Sequence, residues 1–221
     1  MRRAWFYGSA SRKLSMNATI RLARAEDASS FPEIERSAAS SFRSIADLMW
    51  IADGQPTPAL DYLPLIARGT VWVAEAMDHG LRGFLAAEQA GTELHIREVS
   101  VRSEHRAQGI GRRLIEAARS YAQAAGLSGL TLTTFRDVRW NAPFYAGLGF
   151  EILPTSSIGP RLGAILGQEA ERGLPHERRC AMRCSLEALA YGNVASPPGQ
   201  APNSMFLLRV RSAAGPFGSR G

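Results

Sequence analysis

The chain has 221 residues and is 45% hydrophobic, enough for a packed core in one domain with flanks or in two domains. No apolar run approaches the roughly 20 residues that span a bilayer, and Arg2-Arg3 lead only into the short patch Trp5-Phe6-Tyr7, too brief for a secretory signal, so the protein is read as cytoplasmic with no membrane partner. Its net charge of +6 would suit nucleic acid, but seven of the 26 cations lie in residues 1–15 and 191–221, which hold no acid, and the 19 that remain face all 20 acids; a nucleic-acid partner is disfavoured for the domain between.

In chain order, residues 1–15 lack periodicity and are expected to be a disordered or mis-assigned extension, with Met16 as the natural start. A strand is predicted at 19–23 and a helix at about 26–42, entered through Glu26-Asp27, whose charges suit a helix N-terminus. Shorter helices follow near 45–53 and 59–68, closed by Gly69. Strands at 70–76, 82–89 and 93–101 are joined by Asp78-His79-Gly80 and Gly91-Thr92, connections short enough to make them antiparallel. The period then changes: Ile110, Leu114, Ala117, Ala118, Tyr121 and Ala125 form a helical apolar stripe that ends at Gly126. Leu130 to Thr133 supplies a buried parallel strand; a short helix at 141–147, a strand from Phe150, a helix at 160–172 and a strand at 179–185 complete a domain of residues 16–188. Residues 189–221 read as a disordered, basic, Pro/Gly-rich tail. Cys180 and Cys184, the only two cysteines, four apart in a predicted strand, read as buried small hydrophobes, and no metal site is expected.

Between the third hairpin strand and the long helix lies Arg106-Ala107-Gln108-Gly109-Ile110-Gly111-Arg112. Unpaired backbone N–H groups and the positive end of the helix dipole converge at such a turn, and glycines let a pyrophosphate approach the backbone. Arg102, Arg106, Arg112 and Arg113 add positive charge. A dinucleotide fingerprint would need a third Gly where Leu114 stands, and a nucleoside-triphosphate loop would need Gly-Lys-Ser/Thr, whereas residues 16–190 contain no lysine. In the strand before the turn, Leu94 and Ile96 keep one phase of alternation and Val99 and Val101 the other, a slip that predicts a β-bulge around Arg97-Glu98.

The pattern Arg/Gln-x-x-Gly-x-Gly/Ala at 106–111, the slipped strand, and Tyr145-x-x-x-Gly149-Phe150 occur in an order and spacing that resemble the GNAT superfamily of acyl-CoA-dependent N-acyltransferases over residues 18–153. The resemblance implies an α/β fold: a mixed, mostly antiparallel sheet whose central parallel pair is splayed at the bulge, with helices on both faces. It implies acetyl-CoA as co-substrate, held by the strand edge at Val99 and Val101, by Arg106, Ala107, Gln108, Gly109, Ile110, Gly111 and Arg112 of the turn, and by Asn141. It also implies direct transfer to an amine, with Tyr145 as the acid that protonates the thiolate and a backbone N–H near Val99 binding the thioester oxygen. The family often has an Asn seven residues before this Tyr, whereas Asn141 stands four before Tyr145.

Glu98, at the bulge, is the candidate base, with His95, Glu75 and Asp137 as rivals; His95 is otherwise read as a surface residue of its strand. Arg136, Asp137 and Trp140 lie where acceptor contacts or purely structural ones could arise. Residues 16–95 hold six Arg against eleven acids, and in the family this half covers the acceptor cleft, which favours a small cationic primary amine. A protein or peptide amine, or a non-catalytic acyl-CoA sensor, are the alternatives. Oligomeric state is left open, a homodimer included.

Overall fold

Seven strands make one mixed sheet in the computed structural model, which describes residues 18–186. They are β1 (Thr19–Leu22), β2 (Val71–Glu75), β3 (Leu81–Ala90), β4 (Glu93–Val101), β5 (Gly129–Phe135), β6 (Glu151–Ile152) and β7 (Arg179–Ser185), in the order β1-β2-β3-β4-β5-β7-β6. Every neighbouring pair is antiparallel except β4 and β5. Five α-helices accompany them: α1 (Phe31–Ala39), α2 (Leu63–Ala67), α3 (Ile110–Ala124), α4 (Ala142–Ala146) and α5 (Pro160–Glu171). The expectations for residues 1–15 and 189–221 lie outside the described residues. Among the described residues no helix is long and apolar enough to cross a membrane.

The sheet is buried on both faces. Ile110, Leu114, Ile115, Ala118 and Ala122, the stripe of α3, pack on Trp72, Ala74, Leu85, Ala87, Leu94 and Ile96. The alternate residues of the same strands, Val71, Val73, Phe84 and Ala86, face the other way onto Phe31 and Ile34 of α1 and Leu65 of α2. Phe31 stacks on Phe84 with ring centroids 4.1 Å apart, and Tyr62 meets both rings edge-on. Leu162 and Leu166 of α5 cover Ala181 of β7. Cys180 and Cys184 are both buried and free.

The helix expected at 26–42 is three pieces: a 3-10 turn (Ala25–Ser30), α1, and a second 3-10 turn (Ser40–Ser44). Pro32 explains the first break, because a residue without an N–H fits only in a helix's first turn. Pro64 does the same at the start of α2, so the expected helix at 59–68 is a 3-10 turn (Ala59–Tyr62) followed by one α turn. Of 45–53 only Met49–Asp53 is helical, again 3-10.

The bulge falls at Arg97. Ala86 of β3 pairs with Glu98 and Ala87 with Ile96, which leaves Arg97 as the extra residue, its side chain exposed. One inserted residue reverses the alternation, so Ile96 and Val99 both face the α3 side. Glu98 is thereby turned to the α1 side, opposite Ala86; in a regular strand it would share the apolar face of Leu94 and Ile96. The parallel ladder to β5 runs only from Glu93↔Gly129 to His95↔Thr131, and no pairing joins the two strands beyond it.

Next to this region, Gly83 of β3 has no room for a side chain: a Cβ there would lie 2.6 Å from the carbonyl oxygen of Ser100 and 3.1 Å from Cα of Val101. Backbone cannot yield as a flexible side chain can. Gly83→Ala should therefore cost about 1–3 kcal/mol, the range of overpacking changes, read as a lowered urea midpoint at unchanged m-value.

Candidate active site

Where β4 and β5 part, a cavity of about 720 Å³ opens between their facing edges, with Ile96 to Val101 on one side and Leu132 to Phe135 on the other. Its remaining walls come from α1, the 50–56 segment, the glycine turn, α4, and the junction of α5 with β7.

The glycine turn folds as its composition requires. After a 3-10 turn (Ser103–His105), Ala107 (φ 56°) and Gly109 (φ 76°) take left-handed backbone conformations and α3 starts at Ile110. Two left-handed residues so close to a helix start turn successive N–H groups toward one side, a backbone arrangement suited to an anion. Gly111 faces Phe144 closely; a Cβ there would sit 3.4 Å from the ring. Of the residues expected to hold coenzyme, Val99, Val101, Arg106, Ala107, Gly109, Gly111, Arg112 and Asn141 line the cavity. Ile110 is instead buried in the α3 core, and the Gln108 side chain reaches back to the Glu104 carbonyl oxygen at 3.4 Å.

Three of the four turn arginines are engaged with the fold. Arg106 donates to the carbonyl oxygen of Ala38 at 2.7 Å, satisfying the C-terminal end of α1. Arg102 pairs with Glu33 at 2.8 Å and donates to the Leu81 carbonyl oxygen, and Arg113 donates to that of Ala18. Arg112 forms no side-chain hydrogen bond or ion pair among the described residues.

Tyr145 is placed by α4 and the turn after it. Gly149, at φ 85°, bends the chain so that the Phe150 N–H returns to the Tyr145 carbonyl oxygen at 3.1 Å, and Phe150 is buried against the Tyr145 ring. The N–H of Tyr145 in turn donates to the carbonyl oxygen of Asn141 at 3.0 Å. The Tyr-x-x-x-Gly-Phe spacing is thus a local folding unit that aims one half-buried phenol into the cavity. Burial holds its pKa above the ordinary tyrosine value, and the Glu98 carboxylate raises it further, so the phenol stays protonated.

Glu98 is half-buried and accepts the Ser100 hydroxyl at 2.6 Å. Burial pushes its pKa up to about 7, the charge of Glu35 adds to the rise, and the Ser100 hydrogen bond partly opposes it. The rival bases lie elsewhere. Glu75 is bound by Arg21 at 2.9 Å and Asp137 by Arg178 at 2.7 Å, and neither lines the cavity. His95 does not line it either; contrary to the surface position expected, it is 3% exposed, because the parallel partner β5 lies beside it and Arg161 of α5 lies near. Its ring Nδ1 is 3.1 Å from the Thr131 hydroxyl, and burial, followed by the charges of Arg161 and Arg97, pulls its pKa down to about 4. Trp140 lines the mouth, 40% exposed and edge-on to Phe42, whereas Arg136 donates to the carbonyl oxygen of Arg179.

Sequence reasoning missed two groups on the walls. One is Glu169 with Arg179, paired at 2.7 Å, the carboxylate also accepting the Thr133 hydroxyl and the guanidinium lying over Phe135. The other is Glu35 of α1. Phe31, Ile34, Glu35 and Ala38 share one helical stripe, and a carboxylate inserted into such a stripe was the available signal.

A mixed sheet whose one parallel pair is parted at a bulge, with a glycine turn at one end of the gap and a tyrosine beside it, is the arrangement expected of acyl-CoA-dependent N-acyltransferases. Residues 67–152 match the family model described as "Acetyltransferase (GNAT) domain", a span that contains Glu98, the turn and Tyr145, so this part of the chain is similar to acetyltransferases of that family. Solved structures agree in fold. The PaiA N-acetyltransferase of Thermoplasma acidophilum, in complex with coenzyme A, is 17% identical and superimposes with a TM-score of 0.58 over 77% of this chain and 99% of that one. The ribosomal-protein-S18-alanine N-acetyltransferase of Escherichia coli is 16% identical, with a TM-score of 0.54 over 81% of this chain and 100% of that one. N-acetylglutamate synthase of Neisseria gonorrhoeae, complexed with coenzyme A and N-acetyl-glutamate, is 16% identical, with a TM-score of 0.53 over 77% of this chain and 35% of that one.

The raised pKa of Glu98 fixes a sign for stability. Its folded value, about 7, exceeds its ordinary value of 4.5, so ionisation costs the folded state; the cost is absent below pH 4.5, grows up to about pH 7 and is complete above. Glu98→Gln should leave the melting temperature unchanged at pH 4 and raise it at pH 8 by at least about 2 °C, the response of a domain this size to roughly 1 kcal/mol. Differential scanning calorimetry at the two pH values checks this.

Proposed function

We propose that the domain transfers the acetyl group of acetyl-CoA directly to a primary amine, a small cationic molecule, in a ternary complex. The observation that carries the reading is that Glu98 and Tyr145, supplied by separate elements, face the gap between β4 and β5 at the end of which the glycine turn sits. Acetyl-CoA suits this gap: its pyrophosphate meets the N–H groups at Gly109 and Gly111, and its pantetheine arm follows the β4 edge at Val99 and Val101. Two of the neighbouring structures are complexes with coenzyme A, which supports acetyl-CoA as the co-substrate.

The chemistry then divides between two groups. The acceptor enters as an ammonium and loses a proton to ionised Glu98, whose pKa near 7 suits a base working at neutral pH. The neutral nitrogen attacks the thioester carbonyl, whose oxygen is stabilised by a backbone N–H near Val99. A C–N bond forms, the C–S bond breaks, Tyr145 gives its proton to the departing thiolate, and the proton that the attacking nitrogen sheds to become the amide restores the Tyr145 phenol, while Glu98 returns the first proton to solvent. A peptide amine is the second reading, favoured by Trp50 and Trp140, 45% and 40% exposed at the mouth, on which a chain continuing from the amine could lie. A non-catalytic sensor would need neither Glu98 nor Tyr145.

Two substitutions separate coenzyme binding from chemistry. Gly109→Val puts a β-branched residue at φ 76° and should weaken the Kd for acetyl-CoA at least about tenfold, or roughly 1.4 kcal/mol; a wild-type Kd by calorimetry on the folded variant would refute the phosphate assignment. Tyr145→Phe keeps the ring's packing and should lower kcat by roughly 10²- to 10⁴-fold with the acetyl-CoA affinity little changed. Release of coenzyme A thiol against a library of amines supplies the rates.

A further inference from the structure

The mechanism above leaves Glu35 without a role. Each of its carboxylate oxygens is held by one neutral donor: the Tyr62 hydroxyl donates to one at 2.5 Å and the Thr57 N–H to the other at 3.0 Å. Tyr62 is itself fixed, 4% exposed between Phe31 and Phe84, so the carboxylate is held at the cavity wall in one orientation. A carboxylate has about four acceptor sites, more than two donors fill.

Glu35 also differs from the other acids around it. Asp27 and Glu75 are neutralised by Arg21, Glu33 by Arg102 and Asp53 by Arg43, whereas Glu35 forms no ion pair among the described residues. Of the arginines that line the cavity, Arg97 pairs with Glu88, Arg106 donates to the end of α1 and Arg179 pairs with Glu169, while Arg36, Arg112 and Arg172 are exposed and form no ion pair among the described residues. Glu98, on β4, acts electrostatically on Tyr62 and on Tyr145 of α4 and feels the charge of Glu35, and among the described residues its one hydrogen-bond partner is Ser100. Both carboxylates line the one cavity, Glu35 is the charge that acts on Glu98, and neither forms an ion pair among the described residues.

We propose that Glu35 is the specificity-determining residue for the acceptor: it receives the substrate's ammonium and positions it beside Glu98, so that the enzyme selects amines that arrive protonated. The proposal rests on the acetyltransferase reading and deepens it by naming the acceptor's charge. An ammonium between the two carboxylates relieves their repulsion and lies within reach of the base, whereas an arylamine, neutral at pH 7, gains nothing from Glu35. The Tyr62 and Thr57 donors hold the Glu35 carboxylate in place while Glu98 exchanges the proton, which divides binding from proton transfer.

The test uses the full chain saturated with coenzyme A and labelled with ¹³C at glutamate carboxyls. Titration with ethylammonium chloride, against sodium chloride and ethanol as controls, should shift the Glu35 and Glu98 signals saturably. In Glu35→Gln the ethylammonium Kd should rise at least about tenfold, and the Glu98 titration midpoint should fall below its wild-type value because a like charge is gone. The Kd for coenzyme A should not change. Glu35→Asp, which keeps the charge, should recover part of the ammonium affinity, and equal melting temperatures exclude a folding defect. Ethylammonium that shifts neither signal, or binds Glu35→Gln as tightly as wild type, overturns the proposal. Failure of coenzyme A itself to bind would instead overturn the acetyltransferase reading.

Discussion

A single residue inserted into β4 governs the rest of the site. With Arg97 looped out, the strand after it runs in the opposite phase, and that reversal has two consequences. Glu98 is carried from the apolar face under α3 to the face shared with α1, where a carboxylate can meet polar partners. At the same place the ladder to β5 ends, so two parallel strands that begin as neighbours separate around a cavity. A strand with regular alternation would bury Glu98 in the α3 core at a cost of several kcal/mol for an unpaired charge. The bulge therefore couples the position of Glu98, the proposed base, to the opening of the gap proposed to take the coenzyme.

The opened gap stays rigid because the sheet around it is packed from both sides. Aromatic and aliphatic residues of β2 and β3 alternate between the α3 face and the α1 face, and Phe31, Tyr62 and Phe84 form one interlocked cluster beneath Glu98. The cluster also orients the Tyr62 hydroxyl, so a packing feature of the core sets the geometry of a polar wall. On the far side, Glu169, Arg179 and Phe135 close the cavity with a paired charge over an aromatic ring.

Charge is distributed in the same spirit. Residues 16–190 use arginine as their only strong cation, and its planar, multidentate head lets one residue bind several acceptors at once. Arg21 bridges Asp27 and Glu75, and Arg178 bridges Asp47 and Asp137. Most acids near the cavity are neutralised in this way, which leaves the two unpaired carboxylates, Glu35 and Glu98, as the concentrated negative charge inside it.

The sequence by itself determined what depends on local chemistry. The period-2 pattern of β2 to β4, the slip at Arg97-Glu98, the stripe of α3 and the left-handed Gly109 are all short-range constraints, and the order β2-β3-β4 follows from hairpins too short to permit anything else. The Tyr145-to-Phe150 unit was legible for the same reason, since its hydrogen bonds close within six residues. Only tertiary structure decided the burial of His95, which alternation put at the surface but β5, arriving from 34 positions along the chain and later, covers with the help of α5. Tertiary structure likewise brought Glu35 opposite Glu98: α1 and β4 are far apart in sequence, and whether a charge on a helix faces water or a cavity depends on what that helix packs against. The fate of Arg102, Arg106 and Arg113 was undecidable for a related reason, because a guanidinium beside a glycine turn serves equally to bind a phosphate or to satisfy carbonyl oxygens of an approaching helix, and the partners Glu33, Ala38 and Ala18 belong to segments that meet the turn only in the folded chain.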